Sequence, residues 1–395
     1  MSNSISIEFV KLSAHETPII KEENSYDYIR FGKDNSYPQM LNELYHKASL
    51  HRSIIKKKVR MILAKGLTSE SEASLEFLKN MSDYDRLEDF LDKTATDLEL
   101  HNGFSWEVIW NNKGDKINKV NHIPVSDVRL GKEDEEGKIE KIFYKKDGIF
   151  KSYTKANEME EYVPFSDANN KKEAQLLYSI KYEAGMYYYT LASYNGAITD
   201  IETQSEISKF HNANIKNGFA PSYIITFEGP EPSPAVKKKI VKKLKEKYSG
   251  AENSGAPVIL FLDRKMASPK FELVASTDID KQFEQLNKDI KEMIVNSHEI
   301  PRQVVGLESA GSLGNSKEIL QASAMFQSDY IVPQQEFILS KLNMLLEFNG
   351  LEPVAFKNPS LSLLMFDIDL KEVLSTDEIR ESLGFGKRKE ALNEQ

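Results

Sequence analysis

The stretch "HEIPRQVVGLESAGSLGNSKEIL", residues 298–320, sets three glycines, three serines and an asparagine between two segments of helical character. Gly306 and Gly311 have the spacing of the phosphate-cradling G-x-x-x-x-G-K-[ST] loop, in which backbone N–H groups wrap the phosphates and a lysine offsets their charge. Ser312 and Leu313 stand where that loop needs Lys and Ser/Thr. Three readings follow: a degenerate nucleotide site over Gly306–Ser316, a hinge between helices, or a loop that touches something larger.

Other catalytic chemistry finds little purchase. The chain has no cysteine, which excludes disulfides, thiolate nucleophiles and Cys-based zinc sites and is compatible with a reducing compartment. Of seven histidines, His46 and His51 are near neighbours in sequence, but no H-E-x-x-H motif follows, and "HEIPR" runs from His298 straight into Pro301. Isolated histidines ordinarily satisfy local hydrogen bonds, so neither a metal nor a cofactor is expected. There is no G-x-S-x-G and no paired-glycine fingerprint opening a helix. The lysine run at 237–247, with Lys238, Lys242 and Lys245, has the look of a nucleic-acid patch. Apolar residues at Val236, Ile240, Leu244 and Tyr248 make those lysines the solvated or partner-facing side of a buried helix instead. "HRSIIKKKVR" at 51–60 reads the same way.

The chain that must position these residues has 395 of them, 40% apolar, which suits two or three domains with true cores. Acidic residues outnumber basic ones 61 to 52, for a formal charge of −9, which argues against a strongly basic, DNA-gripping protein. No apolar run approaches the ~18 to 20 residues of a membrane span. The start, "MSNSISIEFVKLSAHE", alternates like a strand and lacks the features of a signal peptide. A soluble, intracellularly made protein is expected.

Periodicity predicts an α+β fold. One helical pattern covers "SYPQMLNELYHKASLHRSIIKKKVRMILAKG", stopped by Gly66, and another covers "DYDRLEDFLDKTATDLELHNG", stopped by Gly103. A meander follows: "FSWEVIW", "HIPVSDVRL", "KIEKIFYKK" and "GIFKSYT". From about residue 190 the order changes to a polar helix ending at Gly218, the strand "PSYIITFEG", the lysine-rich helix, and the strands "APVILFLD" and "KFELVAS". Over Asp280–Asn296, the residues Ile279, Phe283, Leu286, Ile290 and Met293 keep a 4, 3, 4, 3 spacing, a seam for packing helix on helix. Lys281, Lys288 and Lys291 lie on its other faces. Asn315–Phe348 is a long helical pattern in which Pro333 should produce a kink. The strand "LSLLMFDIDL", the capped helix "STDEIRESLGFG" and a frayed tail close the chain.

The order of these pieces resembles the portal proteins of tailed bacteriophages. The likeness is carried in sequence by "SEISKFHNANIKNGFAPSYIITFEG", "VKKLKEKYSGAENSGAPVILFLD", "DKQFEQLNKDIKEMI", "HEIPRQVVGLESAGSLGNSKE", "MFQSDYIVPQQEFILSKLNMLL" and "STDEIRESLGFG", and it extends to the N-terminal helical pattern. The resemblance implies a non-enzymatic ring, commonly of twelve subunits, at one vertex of the virion capsid, assembled in the bacterial host cytoplasm. It implies a wing in residues 1–190, a stem helix at 191–216, a clip at 217–275, a second stem helix at 276–300, a tunnel loop at 301–316, and a long kinked helix with the rest of the wing at 317–395. A helical crown at the C-terminus is expected to be minimal or absent. It further implies that Glu308, Ser309, Gly311, Ser312, Gly314, Asn315 and Lys317 line a channel for double-stranded DNA, with no membrane involved. Lys281, Lys288 and Lys291 become candidates to face the channel, and Lys238, Lys242 and Lys245 candidates to face partners. Those partners would be the terminase large subunit, the major capsid protein and a head–tail adaptor. A nucleotide-binding enzyme and another kind of virion adaptor remain the alternatives.

Overall fold

The computed structural model describes residues 17–20, 22–23, 25–150, 154–166, 174–216, 223–228, 258–262, 267–273, 279–307 and 316–358, with isolated positions between 233 and 239 and at 375 and 377. The chain divides into two units, Met1–Ile198 with Val295–Gln395, and Thr199–Ile294. Among the described residues no helix is long and apolar enough to cross a membrane.

The first unit opens with two helices where the periodicity predicts one, α1 (Tyr37–Lys47) and α2 (Ser49–Leu63). Ala48 between them is extended, at φ −96° and ψ 109°. The break lets Leu41 and Leu44 of α1, and Ile54, Ile55, Val59 and Ile62 of α2, all reach the core. A short helix absent from the sequence reading, α3 (Glu72–Asn80), precedes α4 (Leu87–His101). α4 carries Glu88 and Asp89 in its first turn, where carboxylates oppose the helix dipole, and buries Phe90, Leu91, Ala95 and Leu98. Gly103 is not its stop. Asn102 takes the left-handed cap at φ 59°, while Gly103 opens the next strand and is required there because a Cβ would lie 2.7 Å from the Ser179 carbonyl oxygen.

Strands β2 (Gly103–Trp110), β3 (Ile117–Ile123), β4 (Val128–Leu130), β5 (Ile142–Tyr144), β6 (Glu160–Pro164) and β7 (Gln175–Ile180) form one sheet in the order β3-β2-β7-β6-β5-β4. Only β6 and β7 run parallel. "HIPVSDVRL" is therefore not one strand: Pro124 ends β3, and a single 3-10 turn (Val125–Asp127) leads into β4. Nor does "GIFKSYT" enter the sheet at Gly148–Phe150, where Ile149 is 62% exposed. Trp106 of β2 is the centre of the packing, with Phe104 and Phe90 rings at 4.7 and 5.2 Å and its indole N–H donating to Thr94 Oγ1 at 3.0 Å. A two-stranded ladder pairs β1 (Leu67–Thr68) with β11 (Ala355–Phe356).

After α7 (Arg302–Val305), α8 (Ser316–Phe326) runs through a π turn (Gln327–Ile331) into α9 (Val332–Phe348). The perturbation predicted at Pro333 thus falls on the preceding turn. Proline has no N–H to donate four residues back, and its ring needs room there; the wider turn provides that room.

The second unit contains strands β8 (Tyr223–Glu228), β9 (Val258–Leu262) and β10 (Ala267–Leu273) and all but the end residues of α5 (Ile198–Lys216) and α6 (Ile279–Ser297), which cross the unit boundary at Ile198 and after Ile294. β8 pairs parallel with β9 and antiparallel with β10. A parallel pair needs a crossover, which the lysine-rich segment between β8 and β9 occupies. Val236 within it is 45% exposed, against its expected burial. The N-terminal strand, most of the lysine-rich helix, and the C-terminal strand and helix lie outside the described residues.

Arg129 of β4 is fully buried with no carboxylate in its hydrogen bonds. Its Nε donates to Asn35 Oδ1 at 2.7 Å, Nη1 to the Ser126 and Val128 carbonyls at 2.9 and 2.8 Å, and Nη2 to the Asn35 carbonyl and Gln39 Oε1 at 2.9 and 3.2 Å. All five guanidinium donors are engaged, and the Phe150 ring lies 3.8 Å beneath it. Lysine offers three donors, so Arg129→Lys should lower stability by about 2 to 4 kcal/mol in denaturant unfolding; a change below about 0.5 kcal/mol would show that solvent already satisfies these carbonyls.

Candidate functional site

Gly306, the first glycine of the candidate loop, closes α7 at φ 82°, with its N–H donating to the Arg302 carbonyl at 3.0 Å. That N–H is engaged, and the element before the loop is a short helix, where a phosphate loop requires a strand. Both features count against the nucleotide reading. Glu308, Ser309, Gly311, Ser312, Gly314 and Asn315 lie outside the described residues, and so does the side chain of Lys317 at the start of α8.

On α6 the five-residue seam divides. Ile290 is 4% exposed and buried, whereas Leu286 and Met293 are 45% and 54% exposed. The buried apolar residues of the helix are Ile290, Ile294 and Val295. At about 100° per residue, Leu286 and Met293 fall together some 40–60° to one side of Ile290. They form an exposed apolar flank beside the buried face. Ile279 and Phe283 belong to the helix, with side chains outside the described set.

Among the lysines, Lys288 and Lys238 are exposed and Lys291 is half-buried. The side chains of Lys281, Lys242 and Lys245 lie outside the described residues.

What the sequence reading missed is a buried cluster in the first unit. His51 of α2 and His298, just past α6, are 0% and 1% exposed. His51 Nδ1 lies 2.9 Å from His298 Nε2, so one imidazole donates to the other. Tyr194 stacks on His298 at 4.8 Å, meets His51 edge-on at 4.6 Å, and donates its hydroxyl to the Leu100 carbonyl at 2.9 Å. Tyr194 and His298 each lie four residues from a boundary with the second unit, at Ile198 and Ile294. The cluster thus grips the outgoing and the returning chain. Burial, reinforced by Lys58, pulls the His51 imidazole down to about 3 and holds His298 well below its ordinary range. Two neutral, sealed imidazoles can orient backbone but cannot reach a substrate. Among the described residues no group of three or more His, Asp or Glu is arranged to hold a metal ion.

A family model described as phage portal protein matches residues 60–381 of this chain. Among solved structures, a chain of the virion of the native gene transfer agent (GTA) particle is similar at a TM-score of 0.60 and 13% identity, covering 89% of this chain and 94% of that one. Chains from the neck of the empty GTA particle computed with C6 symmetry and of the native particle computed with C12 symmetry match at TM-scores of 0.60 and 0.57 and identities of 12% and 14%. Each covers 89% of this chain, and the matches span 94% and 95% of those chains. At such identities the likeness is one of fold. A comparison with curated proteins finds no match.

The buried histidines generate a pH dependence. In the unfolded chain each takes up a proton below about pH 6.5, whereas in the fold His51 and His101 remain neutral down to about 3 and about 4. Stability should therefore fall by about 1.4 kcal/mol per pH unit per histidine as the pH drops below that point. Asp127 opposes this: burial, with help from Asp97, raises its carboxyl to about 6, so the fold binds its proton first. Thermal unfolding between about pH 7 and pH 5 should show the midpoint falling, and falling more steeply in Asp127→Asn; a flat profile would mean the imidazoles are hydrated.

Proposed function

Because the chain belongs to the phage portal protein family, we propose that it assembles into a ring of twelve subunits at one capsid vertex, through which double-stranded DNA is packaged and ejected. Portal proteins are structural components of the phage virion's head-to-tail connector and are not enzymes. The ring docks the terminase large subunit during packaging and a head–tail adaptor afterwards, and is embedded in the major capsid protein. The family match over residues 60–381 carries this reading. The C12 symmetry of the GTA neck favours twelve subunits.

The parts follow from chain order. The first unit serves as the wing, α5 and α6 as the stem, and the three-stranded sheet with its crossover as the clip. Glu308–Asn315 is the tunnel loop and lines the channel. A channel through which DNA slides must not grip it. An acidic chain of net charge −9 with dispersed lysines such as Lys288 makes weak, screened phosphate contacts, and packaging requires no base readout. The exposed flank of Leu286 and Met293 is the surface that neighbouring stems cover in the ring.

Electron microscopy of the purified protein should show closed rings with a central channel; a monomer under all conditions would refute the proposal, and particles without a channel would favour another adaptor. Leu286→Ser combined with Met293→Ser should change unfolding stability by no more than about 0.5 kcal/mol per site while depleting rings in mass measurements. Gly311→Pro with Gly314→Pro should impair DNA packaging with rings intact; loss of the rings would assign the loop a structural role.

A further inference from the structure

α2 turns a second polar side chain inward two turns after His51. Lys58 is 1% exposed, and its Nζ lies 3.2 Å from Glu99 Oε2 of α4. It also donates to Tyr330 Oη at 2.7 Å, and Tyr330 Oη donates to the same Glu99 oxygen at 2.9 Å. The three groups close a ring of contacts in which the hydroxyl accepts from the ammonium and gives to the carboxylate. The ammonium also sits 4.0 Å from the centre of the Tyr330 ring.

Tyr330 belongs to the π turn Gln327–Ile331 between α8 and α9. A π turn holds one residue more than an α turn would at that point and packs less well along its axis, so it persists where side chains retain it. Relaxing it to α geometry would shift the helix by one residue, rotating α8 about 100° relative to α9. Pro333 makes the wide turn tolerable without specifying which side chain faces inward. α9 has ties of its own: Gln335 Nε2 donates to the Ile62 carbonyl at 2.7 Å and exchanges hydrogen bonds with Asn358 at 2.7 and 2.8 Å. Lys181 donates to Gln334 Oε1 at 2.5 Å. α9 thus keeps ties of its own, although Asn358 Oδ1 also accepts from Gln327 of the turn at 3.1 Å and Tyr330 hydrogen-bonds Gln334; within the turn Tyr330 is the residue tied to α2 and α4 through Lys58 and Glu99.

We propose that Lys58, Glu99 and Tyr330 form a latch that holds the π turn and thereby sets the rotation of α8 about the long helix. Closing the latch keeps α8 in the observed register; opening it lets α8 turn while α9 stays in place. The other inward polar residue of α2, His51, holds Tyr194 and His298, so one rigid helix joins the latch to both chain crossings at the unit boundary. The latch is built within the first unit and does not depend on the portal reading.

Tyr330→Phe keeps the ring over the ammonium and removes the hydroxyl. Hydrogen exchange of the full chain should quicken roughly tenfold or more across residues 316–331, with α9 beyond Ile338 unchanged. The absence of native cysteine permits spin labels at Met325→Cys and Ser340→Cys, both exposed positions. Their separation should be single in the parent and gain a second population in Tyr330→Phe. The combination Lys58→Met with Glu99→Gln, which removes the buried charge pair while keeping volume, should do the same and guards against a fold failure of the first variant. Uniform quickening over both helices, or one unchanged distance in both variants, would overturn the latch.

Discussion

A lysine ammonium held 1% exposed among helices must have its charge answered where it lies, because an unpaired buried charge costs several kcal/mol. Lys58 is answered by Glu99, and the two are bridged by the hydroxyl of Tyr330. Burial pulls the ammonium below its ordinary range while Glu99 pulls it back up. This one requirement fixes three elements. α2 must lie close enough to α4 to share a carboxylate, and the long helix must present a tyrosine from a turn wide enough to reach both. Buried ion pairs contribute little net stability against apolar replacements, so the consequence of the triad is placement more than strength.

The apolar core does the complementary work. Phe90 and Leu91 of α4 and Trp106 of β2 bury large side chains at exposures of 0 to 3%, and burial of that kind supplies the main driving force for folding. It is tolerant of small slides. Polar joints are not, since a hydrogen bond weakens steeply with angle. The first unit places such joints where segments distant in sequence meet: Arg129 ties the loop at Asn35 to β4, the His51–His298 pair ties α2 to the chain returning from the second unit, and Asn349 bonds both backbone groups of Ile117.

Much of the fold was legible because its elements are locally consistent. α4 shows helical spacing with acidic residues at its start, β2 is aromatic and β-branched, and the periodicity of α6 is strong. The failures have particular physical causes. Ala48 breaks a helix that its own propensity would continue, because tertiary packing decides there. β6 reads "EEYVP", polar and proline-ended, so only its pairing with β5 and β7 makes it a strand. The run Lys56–Lys57–Lys58 looks uniformly solvated, yet helical rotation turns only the third inward. His51 and His298 are 247 positions apart, a separation at which one sequence carries no signal of contact. The phosphate-loop spacing at Gly306 left an alternative open for the opposite reason: a glycine needed for a left-handed helix cap looks, in sequence, like a glycine needed for a phosphate.

The division of the α6 seam follows the same logic one level higher. Steps of 4 and 3 residues turn the helix by about +40° and −60°, so a stripe read as one seam is two adjacent rows. Ile290 and Ile294 fall on the side the subunit buries itself, and Leu286 and Met293 on the flank it leaves in solvent. An isolated pair of exposed apolar residues is ordinary. A pair two turns apart on one helix, beside a buried face, is a contiguous apolar strip that the subunit's own core does not cover. The helix therefore carries two adjacent apolar rows, one buried and one exposed, and a stripe that reads in sequence as one seam divides between them.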